Sequence, residues 1–437
     1  MKKLEGRSLI CLLLVLAMMA GLIYFIARLE VNGSDWAGFY ANGHIFSNGL
    51  LKAGEIKDRD GDKLLEYDSE GAHYSGEEYQ RRAVSAVVGD IGNNIHTGAN
   101  VVFRSRLVGY NPVTGTEGLL GLKGGTVTLS IDKDLNETAY SALGRYNGFV
   151  SVFDYTTGDI LCLVSTPTVD PQDPGASSTA SSGAYINKVF SSAFAPGSTF
   201  KLITAYAAIE NIDDIWDRTF NCSGSQEIGG SRITCPAVHG TMDFKGALAN
   251  SCNCVFGQLA AEMGSKTMSK YTEKAGLTES YNINGIETRA GSFNFDSSDI
   301  DLAWAGIGQF EDEANPLAMM VYAGAIAGGG TCSEPSILKG KSSGTVHLMD
   351  ADTAADLKEM LRNNVINKYG DYNYPDLNLG AKSGTAETGD GSTNAWFIGY
   401  TGNYAFVVMA ENGGSGASVA GPIANTVLQK LKEMESN

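Results

Sequence analysis

The sequence predicts an α+β protein: a five-stranded antiparallel sheet flanked by helices, with a helical lobe beside it. Three features lead there. Two apolar runs, 149–155 and 160–165, are joined by the turn Thr156-Thr157-Gly158-Asp159, which is a hairpin signal. Three more strand-like runs come late, at 379–387, 395–400 and 404–411, the last two joined by Thr401-Gly402-Asn403. The stretch between them, from about 185 to 330, has helical periodicity. Pairing the early strands with the late ones sets the helical insert beside the sheet. A cleft between the two is the natural place for chemistry.

At the N-terminus, Lys2, Lys3 and Arg7 precede an uncharged run over 8–27 that Arg28 closes. A helix of about twenty apolar residues matches the hydrocarbon thickness of a bilayer. Basic residues ahead of the run keep that end in the cytoplasm and put the rest of the chain outside. The apolar character persists through Leu22, Ile23, Tyr24, Phe25 and Ile26, which favours an uncleaved anchor over a signal peptide with a small-residue cleavage site. Residues 30–122 are polar, interrupted by glycines and weakly patterned, and read as a small membrane-proximal module. The expected division is therefore 1–29 cytoplasmic tip and anchor, 30–122 module, and 123–437 catalytic domain.

In the catalytic domain, 127–131 reads as a strand. Asp132 or Asp134 then caps a helix through Ala139 and Leu143. The segment 167–185 is rich in Pro, Gly and Ser and reads as an exposed crossing from sheet to lobe. An amphipathic helix over 423–434 closes the chain. With 32 basic and 49 acidic residues the net charge is -17, which argues against nucleic acid as a partner. Cys222 and Cys235 flank a Gly/Ser-rich stretch, and outside the membrane they either close a disulfide loop or stay as buried thiols. Zinc is not expected, because there is no CxxC pair with matching histidines.

Three short motifs fall in chain order. In Ser198-Thr199-Phe200-Lys201, Ala195-Pro196-Gly197 breaks the chain and an apolar helix follows, so Ser198 sits near a helix N-terminus. One helical turn puts Lys201 on the same face, where a lysine of lowered pKa can take the serine proton. In Ser251-Cys252-Asn253, a tight link between two helices offers a hydroxyl to relay a proton and an amide to hold substrate or lysine. In Lys382-Ser383-Gly384-Thr385, a strand edge offers backbone groups to an extended peptide and hydroxyls to a carboxylate. Gly384 removes a side chain where another backbone approaches. Each motif alone is commonplace: a capping serine with a lysine one turn on, an N-cap serine, an edge lysine. The ordered set S-x-x-K, S-x-N, K-[ST]-G is the pattern of penicillin-recognising serine enzymes.

On these residues the chain resembles the class B penicillin-binding proteins, the peptidoglycan D,D-transpeptidases. The resemblance extends over about 98–425, through TVTLSIDKDLNETAYSAL, GFVSVFDYTTGDILCLVSTPTVDP, INKVFSSAFAPGSTFK, ALANSCNCVFGQLA and AKSGTAETGDGSTNAWFIGYTGNYAFVVMAENGG. It implies the penicillin-binding transpeptidase (serine β-lactamase-like) fold. It implies Ser198 as the nucleophile that forms an acyl-enzyme with a stem peptide, Lys201 as base and Ser251 as proton shuttle. Asn253, Lys382, Ser383, Gly384 and Thr385 would form the substrate-binding wall, and the N–H groups of Ser198 and Thr385 the oxyanion hole. β-Lactams are implied as covalent inhibitors, the cytoplasmic membrane as anchor site and a multispanning glycosyltransferase as partner, with no metal or organic cofactor. Hydrolysis by the same acyl-enzyme, as in a D,D-carboxypeptidase or β-lactamase, differs only at deacylation. The chain departs from the family pattern at Ser383 (often threonine), at Phe194-Ala195 (usually Tyr-Pro), at Gly308-Gln309-Phe310 (usually Gly-Gln-Gly) and in its short membrane-proximal module.

Overall fold

The computed structural model describes residues 2–436 apart from 40, 48–49, 112, 119–120, 123, 174, 176–177, 179, 297 and 343. The first helix, α1 (Lys2–Ala37), is long and apolar enough to cross a membrane. Its apolar side chains from Leu9 to Ile26 are exposed. That exposure is costly in water and is removed in a bilayer.

A small module follows, with β1 (Gly54–Lys57), β2 (Lys63–Tyr67), β3 (Ala72–Tyr74) and the helix α2 (Glu78–Val88). Its sheet has the order β3-β2-β1-β4, in which β4 (Thr126–Thr128) lies parallel to β1. Composition understated how much this module buries. Ile56, Leu65, Val84, Val87 and Val88 join the hydrophobic cluster that runs into the catalytic domain. Arg81 of α2 makes a two-pronged ion pair with Asp170, at 2.9 and 2.6 Å.

Next comes α3 (Lys133–Leu143), capped by the Asp132 carboxylate, which accepts from the Leu135 N–H at 2.9 Å. The hairpin β5 (Gly148–Asp154) and β6 (Ile160–Thr166) follows. The helical lobe contains α4 (Lys201–Asn211), four short strands β7 (Phe220–Cys222), β8 (Ser225–Ile228), β9 (Ser231–Thr234) and β10 (Gly240–Met242), then α5 (Phe244–Ala249), α6 (Asn253–Lys274) and α7 (Asp299–Ala305). The strands interrupt what periodicity alone reads as a helical region. The chain returns through α8 (Pro316–Ala327) and α9 (Ala351–Asn364). It ends with β11 (Gly380–Glu387), β12 (Thr393–Thr401), β13 (Tyr404–Ala410) and α10 (Gly421–Glu435).

The five long strands form one antiparallel sheet in the order β6-β5-β13-β12-β11. Both faces are covered, so the strands read as nearly continuous apolar runs. In β13, Phe406, Val408 and Ala410 face α3 and α10, among Leu135, Ala139, Val427 and Leu431. Val407 and Met409 alternate to the other face, in the cluster that holds Met319, Tyr322 and Ile326 of α8. That division explains why all twelve residues of α8 are buried: it is the core helix behind the sheet. The two edge strands of the sheet are β6 and β11, and the lobe faces β11.

Candidate active site

The chain break at Ala195-Pro196-Gly197 has a steric cause. Gly197 adopts φ +53°, and a Cβ there would come within 2.8 Å of the Thr385 carbonyl oxygen. The nucleophile turn is thus pressed against β11. The same contact explains Gly384, where a Cβ would lie 2.9 Å from the Pro196 carbonyl oxygen. The backbone that requires this glycine is the protein's own. Gly197 also donates its N–H to the Gly308 carbonyl at 2.8 Å, and a Cβ on Gly308 would meet the Gly197 oxygen at 2.1 Å. Gly308-Gln309-Phe310 therefore buttresses the turn from the lobe side, with Phe310 at φ +73°. Phe194 packs beneath, its ring 5.8 Å from Phe149 and 6.3 Å from Trp396.

Ser198 lies in a short 3-10 turn (Gly197–Thr199) that leads into α4, whose first residue is Lys201. Lys201 is fully buried, and its Nζ has four oxygen neighbours. Two only accept: the Ser251 carbonyl and the Asn253 Oδ1, both at 2.6 Å. The Asn253 amide is oriented by its Nδ2, which donates to the Thr234 carbonyl at 2.8 Å. With two N–H bonds committed, the third position on nitrogen faces the Ser198 Oγ at 3.0 Å and the Ser251 Oγ at 3.1 Å. In a neutral amine that position is a lone pair able to receive the serine proton. Burial lowers the Lys201 pKa to about 7, and the nearby sulfurs of Cys235, Cys252 and Cys254 oppose that by a smaller amount.

Ser251 is not a helix cap, since Cys252 holds that position for α6. Ser251 adopts φ +53°, an unusual conformation for a residue with a side chain. Its Oγ stands between two lysines, 3.1 Å from Lys201 and 3.0 Å from Lys382. Lys382 is also fully buried and donates to the Ser383 carbonyl at 2.8 Å. Burial first, and then the charge of Lys201, hold its pKa well below the ordinary lysine value. Strand alternation accounts for the split roles in the third motif. Lys382 points inward to Ser251, whereas Ser383, Thr385 and Glu387 line the cleft. The cleft has a volume of about 410 Å³ and also holds Ser198, Asn253, Trp304 and Gln309.

All seven predicted side chains thus converge, with Gly384 beneath them. Tyr369 escaped the sequence reading. Its hydroxyl accepts the Ser383 N–H at 2.9 Å and lies 3.1 Å from the Ser383 Oγ, securing the edge strand. No short motif marks it, because its partner is fourteen residues away. The cysteines are unbridged: Cys222 and Cys235 are both free thiols.

Residues 148–429 match the family model described as the penicillin binding protein transpeptidase domain. The peptidoglycan D,D-transpeptidase PbpA of Mycobacterium tuberculosis is 26% identical over 366 residues, which cover 72% of this chain and 74% of that protein. Among solved structures, the imipenem acyl-enzyme complex of penicillin-binding protein A from M. tuberculosis aligns with a TM-score of 0.76 at 21% identity, over 87% of this chain and 98% of that one. The D,D-transpeptidase domain of a peptidoglycan glycosyltransferase from Eggerthella lenta aligns with a TM-score of 0.73 at 24% identity, over 88% and 98%. The family match spans well over half of the sequence and contains all three motifs, so the chain belongs to the penicillin-binding protein transpeptidase family.

Proposed function

We propose that this protein is a membrane-anchored peptidoglycan D,D-transpeptidase that crosslinks stem peptides through an acyl-enzyme on Ser198 and is acylated there by penicillins. The observation that carries the reading is the Ser198 Oγ, 3.0 Å from a fully buried lysine whose other hydrogen-bonding positions are taken. Neutral Lys201 takes the Ser198 proton as Oγ attacks the carbonyl carbon of the D-Ala–D-Ala bond. The N–H groups of Ser198 and Thr385 receive the developing oxyanion, a contribution of about 3–4 kcal/mol per donor in comparable sites. Ser251, held between the two lysines, passes the proton to the departing D-alanine nitrogen. Ser383 and Thr385 bind the substrate carboxylate, with Lys382 behind them and Asn253 on the opposite wall. An amine from a neighbouring stem peptide then takes the acyl group, and the proton returns along the same path.

The deciding assay supplies a D-Ala–D-Ala peptide or thioester donor together with an amine acceptor. Release of D-alanine or thiol with formation of the crosslinked product is the expected result. Hydrolysis alone would make the protein a carboxypeptidase, and no turnover by folded protein would make it a receptor.

The anchor fixes the remaining proposals. Residues 1–29 form the cytoplasmic tip and transmembrane helix, 30–122 the membrane-proximal module and 123–437 the catalytic domain, with the last two outside the membrane. The relatives' crosslinking chemistry needs newly made glycan strands, so a multispanning glycosyltransferase is the partner proposed for the module. A membrane-impermeant crosslinker applied to intact wall-stripped cells tests both points. Reaction of the module and capture of an integral membrane protein are expected. A module that stays unmodified contradicts the orientation, and modification without capture contradicts the partner.

A further inference from the structure

Around the second motif, with Cys235 on the cleft wall, lies a set of sulfur and nitrogen donors that acyl transfer does not use. Cys222 ends β7, Cys235 follows β9, His239 precedes β10 and Cys252 caps α6. One ligand atom from each lies within 4.8 Å of the others. The Cys235 Sγ stands 3.6 Å from the Cys252 Sγ and 3.6 Å from the Cys254 Sγ. A disulfide holds its sulfurs about 2.05 Å apart. Thiolates arranged tetrahedrally at about 2.3 Å from a zinc ion stand about 3.8 Å from one another. The observed spacing is that of neighbouring ligands.

Two further observations point to a bound cation. The Cys235 sulfur accepts backbone N–H bonds from Asn253 at 3.1 Å and Cys254 at 3.4 Å, at the N-terminus of α6, which runs unbroken as far as the kink at Gly264. Backbone donors of this kind support a metal-bound thiolate. The Nδ1 of His239 is buried with no hydrogen-bond partner among the described residues, an omission that coordination removes. Three thiols and one imidazole are a soft, tetrahedral donor set that suits zinc, whereas calcium and magnesium require oxygen ligands. The four donors lie 4 to 30 residues apart in sequence and are gathered through β7–β10, so their grouping needs no CxxC pair.

We propose that Cys222, Cys235, His239 and Cys252 bind one structural zinc ion that holds the second motif in its working position. Cys252 lies between Ser251 and Asn253, the residues whose carbonyl and amide oxygens accept from Lys201. A metal on Cys252 therefore fixes the backbone that sets both acceptors, without touching the reacting atoms. It also ties β7–β10 to the start of α6. Binding releases the protons of the three thiols to solvent, and no oxidant or reductant is needed.

The test uses the full-length protein, purified in detergent with reductant and without chelator. Elemental analysis should give about one zinc per chain. Cobalt(II) exchange should produce thiolate charge-transfer absorption. The double variant Cys222→Ser/His239→Ala should lose the metal, whereas Cys332→Ser, buried elsewhere, should keep it. Removing zinc from the wild-type protein with a strong chelator should lower its melting temperature and slow penicillin acylation roughly tenfold or more, both restored by zinc. The chelation arm stands even if the double variant does not fold. A wild-type chain that binds no zinc after reconstitution under reductant would overturn the proposal. So would a double variant that keeps a full equivalent, or a Cys235–Cys252 disulfide in fresh metal-free protein. Zinc content is read independently of acylation, so failure of the metal site is distinguishable from failure of the transpeptidase reading.

Discussion

At the level of single residues, the proposed chemistry depends on Lys201 being neutral near physiological pH. Among the described residues Lys201 has only neutral oxygens at its Nζ and no carboxylate, so burial is not offset by an ion pair. Its pKa falls to about 7, and the direction sets the pH profile. The protonated form is inactive as a base, so acylation should rise with pH through about 7 and level off above it. Stopped-flow measurement of the second-order rate with a chromogenic β-lactam, from pH 5.5 to 9, checks this. A flat profile would mean that Lys201 is not the group that takes the proton. Ser198 and Lys201 were legible in the sequence because one helical turn joins them. The placement of the Ser251 hydroxyl between two lysines was not, because it requires φ +53° at a non-glycine residue and a strand 131 residues away.

At the scale of elements, β11 does most of the positioning. It is an edge strand, paired among the described residues only with β12, and its outer face carries Ser383, Thr385 and Glu387. Tyr369 ties it from the other side through the Ser383 N–H. Tyr369→Phe leaves that N–H without its acceptor, a loss of about 1–2 kcal/mol. The variant should melt a few degrees lower and acylate several-fold more slowly, with the Lys201 pH profile unchanged. Calorimetry and labelling kinetics measure this, and an unaltered acylation rate would remove Tyr369 from the positioning set. The five strands were readable from sequence because both faces of the sheet are buried, which makes each strand an apolar run. In the module's sheet only β4 was read, as 127–131, and it ends at Thr128; the other strands of the module and those of the lobe were not. Segments such as Gly54–Lys57 and Ser231–Thr234 are short and polar, and they are held by their neighbours more than by their own pattern.

At the scale of the whole molecule, the fold reduces to a sheet with a helical lobe set against its β11 edge. The three motifs come from a turn, a helix link and a strand, and they meet only because the lobe docks on β11. The module is not a passive spacer: α2 packs on the catalytic domain through the Arg81–Asp170 pair and the Asn136 amide, which donates to the Ala83 carbonyl at 3.2 Å. The assignment of Ser198 as the nucleophile admits a direct test. Full-length protein is treated with a penicillin, digested, and mapped by mass spectrometry. The account predicts a single acyl adduct on the peptide that carries Ser198, absent in Ser198→Ala and reduced by several orders of magnitude in Lys201→Ala. An adduct on any other serine, or full labelling of folded Ser198→Ala, would contradict it.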